Sequence, residues 1–389
     1  MTLKRSARVS PLPPARASGP PAGRRPSALA LGLLAALTAC RHPTASAAPA
    51  PTVASPAPSS GGSPPSPPAA PKPTPPPAPI EPPSPKTAPP APTPSSAPTD
   101  GGLCLDFGPP RQVGTIQERK LFELSGLAAS RVHPGILYAH GDSGSKARLF
   151  AIDSGGAVRA DYRLADVERV DWEDIAVAPG PGGAPCVFVG DIGDNGARKN
   201  DRPARAEIQV FRFPEPPLPA AGAESKQTIS GVSVLRFQYP DHPHDAETLM
   251  VDPLAGDLVI VTKDPTGRSS VFRAAGAAAS APGGPTILER VADLTVGAAG
   301  TPAARATAGD ISPSGDRILL RTYGSILLWP RAPGLSLADV FATAPRHLVQ
   351  PPQAKGEAIA FSADGRSWFA GGEGDPALYQ SDETCRAKK

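Results

Sequence analysis

Several familiar catalytic signatures are missing from this chain. It has no Gly-x-Ser-x-Gly nucleophile elbow, no Walker phosphate loop, no dinucleotide-binding glycine fingerprint and no metalloprotease helix motif. Helical periodicity is missing too, which points away from helix bundles and α/β folds. The apolar run Ala28 to Leu37 is too short for a bilayer-spanning helix, which needs about 20 residues. No basic stripe survives beyond the N-terminus. The net charge of +3 includes six basic side chains, and no acid, among the first 39 residues, and the remainder carries 33 basic against 36 acidic residues. A near-neutral chain without a basic face excludes nucleic acid as the natural partner. Cysteine is scarce, at four residues.

Proline (54 residues) and glycine (39) are abundant, and they are unevenly spread. A basic stretch, the Ala28–Leu37 run and then Leu37-Thr38-Ala39-Cys40 read as an export signal. Small residues before a cysteine resemble the lipobox of bacterial lipoproteins. That resemblance implies removal of residues 1–39 and acylation of Cys40, with membrane attachment through the lipid. Arg41 and His42 follow the cysteine without the aspartate associated with inner-membrane retention, so the outer membrane is the expected site. Residues 40–101 are Pro, Ala, Ser and Thr with almost nothing bulky to bury, so they form a disordered, extended spacer rather than a domain.

Residues 102–389 are built from a repeated phrase: a small or acidic residue opening one strand, a turn, then an apolar strand ending in a polar loop. It occurs at Ser125-Gly126-Leu127, Glu173-Asp174-Ile175, Glu247-Thr248-Leu249, Thr307-Ala308-Gly309 and Glu357-Ala358-Ile359. Further runs follow each pair, among them Val158–Leu164, Val232–Tyr239, Ile287–Leu294 and Ala338–Val349. Repeats of roughly 50 residues with short strands indicate an all-β propeller of five four-stranded blades, or six if one is hidden in a long repeat. The last repeat lacks a fourth strand, and Val113–Leu124 is unassigned, so that segment is expected to close the ring. Closure sets Cys104 beside Cys385 for a disulfide, with Cys186 left as a buried free thiol. The domain is expected to be a monomer.

In a propeller the first strand of each blade lines the channel. Ser125, Glu173, Glu247, Thr307 and Glu357 should therefore ring one funnel mouth, with Asp310 deeper and Lys263, Arg321, Glu373 and His140 around them. Crowded carboxylates need compensation. Either Ca²⁺ is held by Glu173, Glu247 and Glu357, or Lys263 and Arg321 balance the charge. His140 or Asp191 would be the group activating water. The loop Asp191–Asp201 reads as a turn rather than a cation loop, and His242, His244 and Asp245 read as either a transition-metal site or a proline-fixed loop.

Trp172-Glu173-Asp174-Ile175-Ala176 followed by Gly190-Asp191-Ile192-Gly193-Asp194-Asn195 resembles the repeats of NHL-type and esterase-like (phytase-like) secreted propellers. The resemblance implies the fold and two functional classes. The leading expectation is a cell-envelope binding or scaffold module that meets an envelope protein or ligand through its acidic funnel. The alternative is a Ca²⁺-dependent hydrolase of an ester, phosphoester or glycan.

Overall fold

Five sheets, each with an antiparallel four-stranded core, follow one another around a ring in the computed structural model, which describes residues 103–142, 146–220 and 225–385. The signal segment, Cys40 and the proline-rich spacer lie outside the described residues. Blade 1 comprises Leu124–Ala129, Ile136–Gly141, Arg148–Asp153 and Val158–Leu164. Blade 2 comprises Trp172–Pro179, Pro185–Asp191, Ile208–Pro214 and Ser233–Gln238. Blade 3 comprises Ala246–Val251, Leu258–Thr262, Arg268–Ala274 and Glu289–Thr295, and blade 4 Ala306–Ile311, Arg317–Thr322, Ile326–Pro330 and Arg346–Leu348. Blade 5 comprises Gly356–Phe361, Ser367–Gly372 and Asp375–Asp382, completed on its outer edge by Arg111–Thr115.

The first strand of each blade packs on the first strand of the next, and that of blade 5 packs on that of blade 1. These inner strands are buried along their whole length, except Pro179 at the end of blade 2's. Apolar side chains from both sheet faces fill one core cluster between each pair of neighbouring blades, five in all. This explains the uninterrupted apolar runs such as Val187-Phe188-Val189, because no face of these strands meets water.

Closure of the ring runs through blade 5. Gln112 lies opposite Tyr379 and Thr115 opposite Ala377, antiparallel as expected. The closing strand is shorter and earlier than Val113–Leu124. Glu118 caps a tight turn at Arg119–Leu121 by accepting from the Lys120 amide at 3.0 Å, and this turns the chain into blade 1. Cys104 and Cys385 are bonded, with Cα atoms 5.6 Å apart, and Cys186 is free and buried.

Two features depart from the reading of the sequence. The run Ala338–Val349 begins as a helix, Leu337–Phe341, and only Arg346–Leu348 is strand. Ser336 and Asp339 form a capping box, and Leu337, Val340 and Phe341 bury one face of the helix, Phe341 against Trp329. Blades 1 and 2 also carry a fifth strand each, Lys226–Ile229 and Thr286–Ile287, paired in parallel with the outer strand. Both come from the excursion of the following blade and cover an otherwise open edge.

Buried polar side chains tie the inner strands across the axis. Ser125 Oγ donates to the Glu173 carbonyl, and Thr307 Oγ1 to the Gly356 carbonyl at 2.6 Å. The Asp174 carboxylate accepts from the amides of Ile175 (2.8 Å), Leu249 (3.0 Å) and Gly309 (3.1 Å), which joins blades 2, 3 and 4. Asp310 accepts from the Phe361 amide at 2.8 Å, which joins blade 4 to blade 5.

Candidate functional site

Every inner strand breaks its ladder at the repeat's opening residue. Pairing skips from Leu124 to Gly126, from Ala246 to Thr248, from Ala306 to Ala308 and from Gly356 to Ala358. In blade 2 it skips from Trp172 to Ile175. Ser125, Glu247, Thr307, Glu357 and the pair Glu173-Asp174 are thus bulge residues. A bulge re-aims side chains that strict alternation would send into the neighbouring sheets.

Glu173, Glu247 and Glu357 converge on one cavity of ≈ 340 Å³ at the channel mouth, shared with Ser125, Asp142, Lys263, Tyr323 and Glu373. The Lys263 ammonium donates to Glu247 and, at 2.7 Å, to the Tyr323 hydroxyl. Burial works against its charge, but Glu247 and Glu357 hold it protonated and raise its pKa. Burial also pushes Glu173 well above the usual carboxylate range, reinforced by Glu247 and Asp171. Glu173 Oε1 accepts from Asn195 Nδ2 at 3.2 Å. Gly193 makes this approach feasible, since a Cβ there would lie 2.2 Å from the same oxygen. Glu373 is at the rim, paired with Lys355 at 2.9 Å.

Burial raises the Glu357 pKa to about 7, with Lys263 pulling it back. The native state therefore holds this proton between about 4.5 and about 7, where the unfolded chain has released it. Stability contributed by the group is full below that window and is lost as pH rises through it. Melting temperatures of the wild type should fall from about pH 5 to about pH 8, and Glu357→Gln should reduce that slope. Parallel curves for the two proteins would show that Glu357 does not titrate in this range.

Five expected members of the site do not line the cavity. Arg321 is fully buried behind the mouth, donating to the carbonyls of Ala358 (2.8 Å) and Gly371 (3.0 Å) and to Gln353 Oε1 (2.8 Å). His140 is also fully buried, edge-on to Trp172 with ring centroids 5.5 Å apart, and burial and Arg169 lower its pKa to about 3. The ladder register gives one reason for both. His140 pairs with Gly126 and Arg321 with Ala308, the same rung that Val261 occupies opposite Thr248 in blade 3. That rung faces the packing between blades. The mouth belongs to the residue just past the strand end: Asp142, Lys263, Tyr323 and Glu373. Asp191 sits on the last rung of its strand. It accepts from the amides of Val170 (2.8 Å) and Asp171 (2.9 Å) and pairs with Arg205 at 2.8 Å. Asp310 and Thr307 bond to blade 5 and do not line the cavity, and burial raises Asp310 to about 6.

The loop after Asp191 forms a short helix, Asn195–Arg198, and its Asp194 pairs with Arg202. Among the described residues, the carboxylates with oxygens within 4.8 Å of one another are Asp142, Asp171 and Glu173, rather than the three ring glutamates. Burial raises both Asp142 and Asp171 above the usual range, Asp142 further through Asp171. Asp171 was not singled out from the sequence, although it directly precedes Trp172-Glu173-Asp174.

No protein-family model matches the chain, and no curated protein matches it. Among solved structures it is similar to a gluconolactonase from Xanthomonas campestris, at 14% identity and a TM-score of 0.40, over 72% of this chain and 99% of that one. It is also similar to a second protein designated a gluconolactonase, at 14% identity and a TM-score of 0.38, over 69% of this chain and 77% of the other.

Proposed function

We propose that the protein is a divalent-cation-dependent hydrolase that works on a small polar substrate, of ester, phosphoester or glycan type, in the funnel. One observation carries this reading: a single cavity is lined by Asp142 and Glu173, two of the three clustered carboxylates, together with Lys263, Tyr323 and Glu357 as donors and proton carriers, while the third carboxylate, Asp171, lies within 4.8 Å of the other two. Asp142, Asp171 and Glu173 offer only hard carboxylate oxygens at different depths, a donor set suited to a flexible ion such as Ca²⁺. Burial raises all three pKa values, and neighbouring carboxylates add to it. A cation held there would polarise a carbonyl or phosphoryl oxygen. Lys263 and the Tyr323 hydroxyl face charge that develops on the reacting oxygen. Glu357, at about 7, is placed to take and return a proton near neutrality.

A second reading, a binding module at the cell envelope, draws support from the described residues of the cavity, among which no nucleophilic hydroxyl or imidazole stands free. The Ser125 hydroxyl is committed to the Glu173 carbonyl, and His140 is behind the wall. The test is a Ca²⁺ titration of the full chain followed by melting, then a panel of chromogenic esters, lactones, phosphoesters and glycosides with and without chelator. Ca²⁺ should raise the melting temperature, and Asp142→Asn should diminish the gain. Glu357→Gln should keep the gain and lose about 100-fold or more in kcat. A Ca²⁺ shift without turnover on any substrate class would favour the binding module, and no shift would remove the cation from the site.

A further inference from the structure

We propose that Asp241, His242 and His244 form a transition-metal site for Zn²⁺ or a similar borderline cation, on the loop between the outer strand of blade 2 and the inner strand of blade 3. A carboxylate oxygen and one nitrogen from each imidazole lie within 4.8 Å of one another. His244 Nε2 is 3.0 Å from Asp241 Oδ1, and His242 Nδ1 is 3.4 Å from Asp241 Oδ2. Tetrahedral zinc bonds of about 2.0–2.1 Å place neighbouring ligand atoms about 3.4 Å apart, so small ring rotations convert this hydrogen-bonded triad into a ligand set.

The triad is held before any ion arrives. The His244 ring packs edge-on against Tyr239 and tilted against Phe272, with centroids 4.8 and 5.1 Å away. Pro243 stiffens the backbone between the two histidines. The His242 amide donates to Asp241 Oδ1 at 2.8 Å and orients the carboxylate. Asp245, read from the sequence as the third ligand, accepts instead from the Asp194 amide at 2.8 Å, and Asp241 takes its place. Arg290 is the nearest competing cation, 3.9 Å from Asp241 Oδ2, but it is anchored to Asp293 at 2.6 Å. The His242 side chain is 70% exposed. The site would thus offer three protein ligands and keep at least one position open to solvent. Its nitrogen donors favour zinc, nickel or copper, whereas the all-oxygen funnel favours calcium.

The test is a Zn²⁺ titration of the full chain against a chromophoric chelator, in excess Ca²⁺ so that the funnel is not read. One Zn²⁺ per chain with micromolar affinity is expected. The His242→Ala/His244→Ala pair should weaken binding by about 100-fold, with an unchanged far-ultraviolet circular dichroism spectrum. Asp142→Asn should leave it intact. Unchanged affinity in the double histidine variant, or the absence of micromolar binding in the wild type, would overturn the site. Neither result bears on the Ca²⁺ response of the funnel.

Discussion

Cys104→Ser with Cys385→Ser should cost the fold about 5 kcal/mol, read as a large drop in the urea midpoint. The bridge joins residues 281 positions apart, and chain-entropy arithmetic for so long a loop gives about 5–6 kcal/mol. That is comparable with the whole stability of an ordinary domain. The mechanism is specific to a propeller closed by its N-terminus. Arg111–Thr115 has a ladder partner on one side only, so without the bridge it can peel from Asp375–Asp382 and expose the blade 5 edge. Amide exchange in those two strands should accelerate first, ahead of the inner strands. If reductant leaves both the midpoint and that exchange unchanged, pairing and packing alone close the ring.

The disulfide was legible because it follows from topology. Once the last repeat is seen to lack a strand, the segment that completes it fixes which termini meet. Ser125, Glu173, Glu247, Thr307 and Glu357 were legible as equivalent positions for a similar reason, since each opens a repeat. Register was not legible. Asp142, His140, Lys263, Tyr323 and Arg321 all lie near the ends of second strands, and one rung separates the cavity from the packing between blades. Arg321 could turn inward only because Gly356 leaves room: a Cβ there would lie 2.2 Å from the guanidinium Nε. The oxygen cluster was hidden for a further reason. Asp142 ends a strand in blade 1 and Asp171 precedes one in blade 2, and only the packing of the two blades brings them together. Asp174 was hidden as well, since the alternation of a strand gives it no reason to reach the axis. The bulge at Trp172–Ile175 does.

Asp174→Asn is therefore the substitution expected to discriminate most sharply between a ring held by packing and one held at its axis. Oδ1 accepts the Ile175 amide, and Oδ2 accepts those of Leu249 and Gly309, so both oxygens work only as acceptors. Burial pushes this carboxyl upward, while the three amides favour its ionised form. An asparagine of the same shape must turn its NH₂ toward one set of donors and leave at least one buried amide unpaired. Each such group costs about 1–3 kcal/mol, so the loss should be about 2 kcal/mol for Asn and about 5 kcal/mol for Ala, which leaves all three unpaired. Asp310→Asn is the internal control. It holds one cross-blade amide, that of Phe361, and its asparagine can still present oxygen there, so it should cost less than about 1 kcal/mol. Denaturant midpoints rank the three variants directly. Should Asp174→Asn prove no worse than Asp310→Asn, the inner strands would be held by the five apolar clusters alone. The amides of Leu249 and Gly309 should then keep their exchange protection without the carboxylate.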